Sequence, residues 1–333
     1  MSVTIRDVAQ RAGVSISTVS RVLNDSSPVR EEKKKLVLEA AATLGYTPNP
    51  AALSLLGKRT GAVGALLPFV NGEFFSELLS GLDEAAQALG LVLVVSTSHR
   101  QPSEFQRAVQ TLDKRVDGLV VMAPELDAAA ASSLLSDAPT VFLNTDAEGL
   151  DADAFNFDNA GGSRALTEHL IGLGHRRIAL AAGPPEAWDA RERVRGYRET
   201  MAEAGLPTRE VPSGYTREAG AAAARQILDG DEPVTAILAP NDDAALGVVA
   251  ALHEAGLRVP EDVSVTGFDG TPGAAYAVPP LTTARVSIRE LGAWAVQRLQ
   301  ARIDRPTLGP AERVVVPVAC VVGRSTGPPA SGS

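Results

Sequence analysis

The 333-residue chain is 45% hydrophobic, enough for sizeable cores, and domain sizes of ~100 to 200 residues divide it into two or three units. No run of ~20 apolar residues is present and Met1-Ser2-Val3-Thr4 leads into no apolar signal core, which argues against a membrane protein and predicts a cytoplasmic one. The net charge is −9, yet residues 1 to 60 hold nine Lys or Arg against five Asp or Glu while the remainder holds 22 against 35, so phosphate contact falls to a small basic module ahead of a large acidic one. The single cysteine, Cys320, excludes an intrachain disulfide and, within the apolar stretch Val314 to Val322, reads as buried.

Ile5, Val8, Ala9 and Ala12 form the apolar face of a short helix with Thr4 as N-cap and Gly13 as its end. Ser15 caps a second helix, Ile16 to Asn24, with Thr18, Val19, Val22 and Leu23 as its buried stripe. Two short helices around a tight turn make a helix-turn-helix. Its second helix enters the major groove by its N-terminal end, which leaves Ile16, Ser17 and Arg21 to reach base edges, Arg21 with the paired donors that guanine accepts. A third helix, about Glu31 to Leu44, completes the core with Leu36, Ala40, Ala41 and Leu44, and its Lys33 to Lys35 run suits solvent and phosphate equally.

The stretch TIRDVAQRAGVSISTVSRVLN resembles the head of the lactose/galactose repressor family of bacterial transcription regulators, through Ile5, Asp7, Val8, Ala9, Ala12, Gly13, Val14, Ser15, Thr18, Val19, Ser20, Arg21, Val22 and Asn24. The likeness continues through the full chain. It implies a regulator that binds double-stranded operator DNA as a homodimer, with Thr4, Ser15, Ile16, Ser17, Thr18, Ser20, Arg21 and Asn24 as headpiece contacts. Ile16 and Ser17 match base-reading positions that vary with the operator, so they do not give its sequence.

The run Tyr46-Thr47-Pro48-Asn49-Pro50 cannot continue a helix, so the headpiece is 1-45 and a linker 46-59 follows. Ala51 to Gly57 is too short for a stable lone helix. In the family resembled, this segment is a hinge helix paired with its dimer mate in the minor groove, which adds Asn49, Ala52 and Leu55 to the DNA contacts, with Leu55 as the wedge between base pairs. The other reading is packing of Leu53, Leu55 and Leu56 on the next domain. Pro50 departs from the basic or small residue of many relatives, and Lys58 and Arg59 meet phosphate or solvent.

Beyond Thr60, apolar runs alternate with amphipathic helices: GAVGALLP, a helix about Glu77 to Leu89, LVLVVS, a helix about Glu104 to Lys114, DGLVVM and APTVFL. A second series follows, with helices about Ala160 to Leu173, Arg191 to Glu203, Arg217 to Leu228 and from Ala244, and strands RIALAAG, TAILAP and VSVTGF. This predicts two lobes with parallel sheets and a ligand cleft at the carboxyl ends of the strands. Asn241, Asp242 and Asp269 follow such strands, Arg191 and Arg193 open a helix facing the cleft, and Phe74 and Trp188 offer apolar ring faces. Asn144 and Asp158 are weaker candidates.

The fold class is thus an all-α helix-turn-helix headpiece plus an α/β two-lobed domain resembling periplasmic binding proteins. The family comparison implies effector contacts from Arg193 in ARERVRGY, Asn241 in APNDDAALG and Asp269 in GFDG. It also implies discontinuous lobes within 60-326, an N-lobe about 60-157 plus 287-313 and a C-lobe about 158-286 plus 314-326, with RVVVPVACVV as a strand and a disordered tail 327-333. No C-terminal heptad helix follows, so a dimer is expected rather than a tetramer. A sugar is favoured as effector over a purine, because amides and carboxylates suit polyols; no cofactor and no membrane partner are expected.

An enzyme is the competing class. Gly267, Gly270 and Gly273 form no dinucleotide fingerprint after the first strand, His99, His169, His175 and His253 lack metal-ligand spacing and read as surface or capping residues, and Ser163 is not in a nucleophile elbow. A transport binding protein, the second alternative, needs export and no headpiece.

Overall fold

The computed structural model describes residues 3–23, 29–46, 59–127, 129–131, 138–146 and 148–330. The chain divides into two compact units, Met1–Thr60 and Gly61–Ser333. Among the described residues no helix is long and apolar enough to cross a membrane.

The first unit holds α1 (Ile5–Ala12), α2 (Ile16–Leu23) and α3 (Glu31–Leu44). Gly13 and Gly45 end α1 and α3 in the left-handed conformation, with φ of 64° and 62°. The Thr4 amide and hydroxyl both donate to Asp7 Oδ2 at 2.7 Å, fastening the first turn of α1. Val8, Ala9, Ala12, Val19, Val22, Val37, Ala40 and Ala41 form the core. Thr18 is only half-buried. The stripe on α3 also differs from expectation: Val37 is fully buried and Leu36 is 46% exposed. Positions 37, 40, 41 and 44 follow the i, i+3, i+4, i+7 spacing of one helical face, and Leu36 lies off it.

The second unit contains two six-stranded sheets. The first has β1 (Ala62–Leu67), β2 (Val92–Thr97), β3 (Leu119–Val121), β4 (Thr140–Leu143), β5 (Asp153–Phe157) and β11 (Arg313–Val316), in the order β11-β5-β4-β3-β1-β2 and all parallel. In the second, β6 (Ile178–Ala182), β7 (Arg209–Pro212), β8 (Ala236–Leu238), β9 (Ser264–Asp269), β10 (Thr282–Arg285) and β12 (Ala319–Val321) run β12-β10-β9-β8-β6-β7, with only β12 antiparallel. The connecting helices are α4 (Glu73–Ala88), α5 (Pro102–Leu112), α6 (Asn159–Gly172), α7 (Trp188–Glu203), α8 (Arg217–Leu228), α9 (Asp242–Glu254), α10 (Pro272–Tyr276) and α11 (Ile288–Asp304). Helix α4 packs on α11, α6 on α7 and α8 on α9. Glycines permit this closeness: a Cβ at Gly81 would stand 2.0 Å from the Arg289 carbonyl oxygen, and one at Gly196 2.2 Å from that of Ala160.

Four expectations change. RVVVPVACVV is two strands in two sheets, because Pro317 removes a ladder donor between them, so Val314 to Val316 belong to the first lobe and not the second. The tail is ordered past Gly327, whose carbonyl oxygen lies 2.8 Å from His175 Nε2 and whose amide donates to Ser264 Oγ. His175 is therefore neither a surface nor a capping residue; burial lowers its pKa, and it clasps the final segment together with His169, which lies 2.9 Å from Thr326 Oγ1. Cys320 is half-buried on β12, and burial raises its thiol pKa.

Strand β5 was hidden by its polar residues. The buried Asp153 carboxylate accepts bonds from Arg302 Nε (2.6 Å), Arg298 Nη2 (2.9 Å) and the Glu312 amide (2.7 Å). Burial pushes its pKa upward, but the Arg302 and Arg298 bonds outweigh this and hold it well below the usual carboxylate range. One side chain thereby joins β5, α11 and the approach to β11. Replacing Asp153 with Asn should cost about 3 kcal/mol by taking the shared anion from Arg302 and from Arg298, which keeps only Glu312, 3.0 Å from its Nη1. Chemical denaturation checks this, and an unchanged midpoint would rule out a stabilising role for the cluster.

Candidate functional site

In the first unit, Val19 and Val22 anchor α2 to the core, leaving Ile16, Ser17 and Arg21 exposed. Ser17 and Arg21 are four residues apart and share a face. Ser15 Oγ accepts from the Thr18 amide at 3.2 Å and lies 2.8 Å from Ser17 Oγ and 2.9 Å from Thr18 Oγ1, so this hydroxyl group both caps α2 and orders its first turn. Thr4 is exposed and bonded to Asp7, while Ser20 is half-buried. Lys33, Lys35 and Arg59 are exposed. Asn24, Asn49, Pro50, Ala52, Leu55 and Lys58 lie outside the described residues.

In the second unit a cavity of about 550 Å³ opens between the lobes at the carboxyl ends of their strands. Pro68 and Phe69 follow β1, Met122 and Pro124 follow β3, Asn144 follows β4, Asn241 follows β8, and Asp269 ends β9; all line it, as does Phe74 on α4. Phe74 is held edge-on against Phe75 and Phe157, with ring centroids 5.2 and 6.4 Å away.

Arg193 on α7 is the centre of the site and is 6% exposed. Its Nε donates to Asn159 Oδ1 at 2.9 Å, its Nη1 to the Pro240 carbonyl, and its Nη2 lies 3.5 Å from Asp269 Oδ1 and 3.8 Å from Asp189 Oδ2. The guanidinium carbon stands 3.7 Å from the Phe268 ring centroid. Burial raises the pKa of Asp269 well above the usual carboxylate range, against the pull of Arg193. Asn159 Nδ2 in turn donates to Asn144 Oδ1 at 2.9 Å, linking Arg193 to the other lobe. Asn241 Oδ1 caps α9 through the Ala244 amide and its Nδ2 donates to the Tyr215 carbonyl, so it braces the cavity wall as well as lining it.

Arg193, Asn241, Asp269, Asn144 and Phe74 thus come together, and two expected residues do not join them. Arg191 is exposed and donates to the Glu186 carbonyl at 2.8 Å; Arg193, two positions on, falls on the buried side of α7 because two residues turn a helix by about 200°. Trp188 contributes its backbone amide, donating to the Pro124 carbonyl at 2.8 Å, but is not among the residues lining the cavity. Asp242 turns inward, accepting from Thr283 Oγ1 at 2.6 Å and the Thr271 amide at 2.7 Å, and Asp158 caps α6 through the Gly161 amide. Sequence reasoning missed Arg100, Asp189 and Tyr215 as lining residues. The aromatic ring just before the Thr216 cap and the carboxylate four residues before Arg193 were the available signals.

A family model described as bacterial regulatory proteins, lacI family, matches residues 4–49, and one described as a periplasmic binding protein-like domain matches residues 167–326. The HTH-type transcriptional regulator DegA of Bacillus subtilis (strain 168) is 33% identical, over 98% of this chain and 99% of its own. The ribose operon repressor of Escherichia coli (strain K12) is 35% identical, over 92% of this chain and 94% of its own. The crystal structure of the lac repressor dimer bound to operator and the anti-inducer ONPF superposes with a TM-score of 0.86 at 32% identity, covering 98% of this chain and 100% of that one.

Burial raises the pKa of Asp242 from 3.8 to about 6 despite its bonds from Thr283 and Thr271. The folded state holds this proton more tightly than the unfolded one, so its contribution to stability falls as pH rises from 3.8 through about 6. An Asp242→Asn variant should gain stability relative to the parent across that window. Denaturation midpoints at about pH 4 and about pH 6.5 test this; a difference independent of pH would show that Asp242 does not titrate there.

Proposed function

Because the chain belongs to the lacI family of bacterial regulatory proteins, we propose that it is a dimeric repressor that reads a pseudo-palindromic operator through α2 and releases it when a sugar enters the interlobe cavity. It is a DNA-binding transcription regulator, and its relatives are regulators rather than enzymes. The observation that carries the effector reading is the Arg193 cluster, where a buried guanidinium, two carboxylates and two amides converge on one cavity. Such mixed donors and acceptors suit hydroxyl groups, which give and take hydrogen bonds at one oxygen. The ribose operon repressor among its relatives is consistent with this chemistry.

Dimerisation is supported by apolar surface on both lobes. Strand β2 is a sheet edge carrying Val92, 64% exposed, beside Val94 and Val95, and the second lobe exposes Tyr276 (86%) and Val278 (90%). Coupling between effector and DNA requires the lobes to change their relation. They touch around the cavity through Glu73 Oε2, which accepts from the Gly273 amide at 2.6 Å, and through the Trp188 to Pro124 bond. An effector that binds one lobe arrangement better shifts the equilibrium by that difference, typically ~1 to 3 kcal/mol.

In the headpiece, Ile16, Ser17 and Arg21 reach base edges, Thr4, Ser15, Thr18, Ser20 and Asn24 are the other contacts, and Leu55 of the linker wedges into the minor groove, as the family resemblance assigns. Gel-shift assays with the DNA upstream of its own gene, with and without sugars and nucleobases, test the whole reading. Release by a sugar supports it, tightening by a purine would replace it with a corepressor mechanism, and absence of specific binding would overturn it. Arg21→Ala should weaken operator binding by ~1 to 3 kcal/mol, roughly 5- to 150-fold, and blur discrimination at one base pair; equal binding would remove Arg21 from the base-reading set. Arg193→Ala should keep operator binding and lose the effector response, and a retained response would displace it from the site.

A further inference from the structure

The last part of the chain is held by a polar network at the amino ends of the second sheet's strands, whereas the cavity lies at their carboxyl ends. His175 precedes β6, Thr235 precedes β8, and Ser264 and Thr282 open β9 and β10. Ser325 is fully buried among them. Its hydroxyl donates to the Val265 carbonyl at 2.6 Å and accepts from the Thr282 amide at 2.8 Å, and its own carbonyl accepts from the Val265 amide at 2.8 Å. The segment lies so close to the start of β10 that a Cβ at Gly323 would stand 2.5 Å from the carbonyl oxygens of Pro280 and Leu281.

Two imidazoles fasten this segment. Buried His175 has Nε2 2.8 Å from the Gly327 carbonyl oxygen and 3.1 Å from Ser264 Oγ, and Nδ1 2.9 Å from Thr235 Oγ1. A carbonyl oxygen only accepts, so Nε2 carries the proton and Nδ1 is left to accept from the Thr235 hydroxyl, the pattern of a neutral ring. His169 Nε2 lies 2.9 Å from Thr326 Oγ1, which is 2.8 Å from Thr282 Oγ1. The Gly327 amide donates to Ser264 Oγ at 3.1 Å, so the segment is bound through its backbone and its side chains alike.

A second proton on His175 brings a charge that its surroundings do not offset. The Thr235 hydroxyl can turn toward the Arg177 carbonyl, 3.3 Å away, and accept from a protonated Nδ1, but it supplies no anion. The neighbouring elements contribute cations: His169 on α6, Arg176, whose guanidinium donates to the His175 carbonyl at 3.0 Å, Arg177, bound to the Pro233 carbonyl, and exposed Arg324 on the segment itself. Their carboxylates are paired elsewhere or exposed: Glu168 stands 3.8 Å from Arg164, Asp262 accepts from Arg258 at 2.9 Å, and Glu232 and Glu261 face solvent. We propose that His175 and His169 form an acid-released clasp, in which protonation of the two imidazoles frees the segment from Gly323 to Gly327 and gives the second lobe a pH-sensitive switch remote from its ligand cavity. Burial lowers the pKa of both histidines, and at His175 the Gly327 carbonyl opposes this while the charge of His169 adds to it. The docked segment is therefore favoured in full above pH 6.5, the ordinary histidine value, and loses that advantage as pH falls below it.

Hydrogen exchange of the full chain provides the test, read by mass spectrometry on peptides spanning Val263 to Phe268 and Val321 to Ala330 and expressed as protection relative to the unfolded-chain rate at each pH. Between about pH 7.5 and about pH 5.5 the protection of both peptides should fall roughly 10-fold, while a peptide spanning Leu119 to Val121 in the first sheet keeps its own. Glutamine keeps a donor and an acceptor but does not titrate, so the His169→Gln, His175→Gln double variant should show no such fall. His169→Gln alone, at the less buried ring, should reduce it to roughly 3-fold. Constant protection in the parent, an equal loss in all three peptides, or a fall that the variants leave unchanged overturns the clasp.

Discussion

A buried guanidinium must be compensated on every side, and Arg193 imposes that constraint on the whole sensing unit. Its compensation comes from α7 itself through Asp189, from the end of β9 through Asp269, from the β8 to α9 junction through the Pro240 carbonyl, and from the start of α6 through Asn159. Phe268 covers the face of the group. Asn159 carries the network onward to Asn144 at the end of β4. The chain's crossing between lobes and the chemistry of the cleft are therefore settled by the same few bonds, and a molecule that re-partners Arg193 or its carboxylates acts on the lobe junction directly.

Two other buried carboxylates show how neighbours decide a charge's role. Asp153 meets two arginines and an amide, so its anion is the stable form and ties a strand to a helix. Asp242 meets two threonine hydroxyls and an amide but no cation in hydrogen-bonding contact, and desolvation dominates. Gly267 belongs to the same device, since a Cβ there would lie 2.2 Å from Asp242 Oδ1. The carboxylate turned inward fixes the loop after β9 and so helps aim Asp269 at the cavity.

The headpiece runs on different physics. Its core is small, made of valines and alanines on three short helices, and its reading surface is what that core leaves outside. Ser15 and Thr4 spend their polar groups on the helix starts. That leaves Ile16, Ser17 and Arg21 as exposed side chains of α2.

Much was legible in the chain itself. Helical and strand periods gave most elements to within a few residues, and the spacing from Thr4 to Asn24 marked the DNA-reading module, because both report local backbone geometry that neighbouring residues fix. Asn241, Asp269 and Asn144 were legible because each sits where a strand ends, and Arg193 because ARERVRGY resembles the family's motif. Direction and partnership were not. Whether Leu36 or Val37 faces inward, whether Arg191 or Arg193 enters the cleft, and why β5 tolerates Asp153 depend on packing between segments far apart in sequence. The division of β11 from β12, the order of the tail past Gly327, and the gathering of Arg100, Asp189 and Tyr215 around one cavity are likewise tertiary facts. The sequence by itself determined which segments form and what chemistry each carries; the tertiary structure alone decided which polar groups meet, because burial and pairing energies exist only once distant residues share a space.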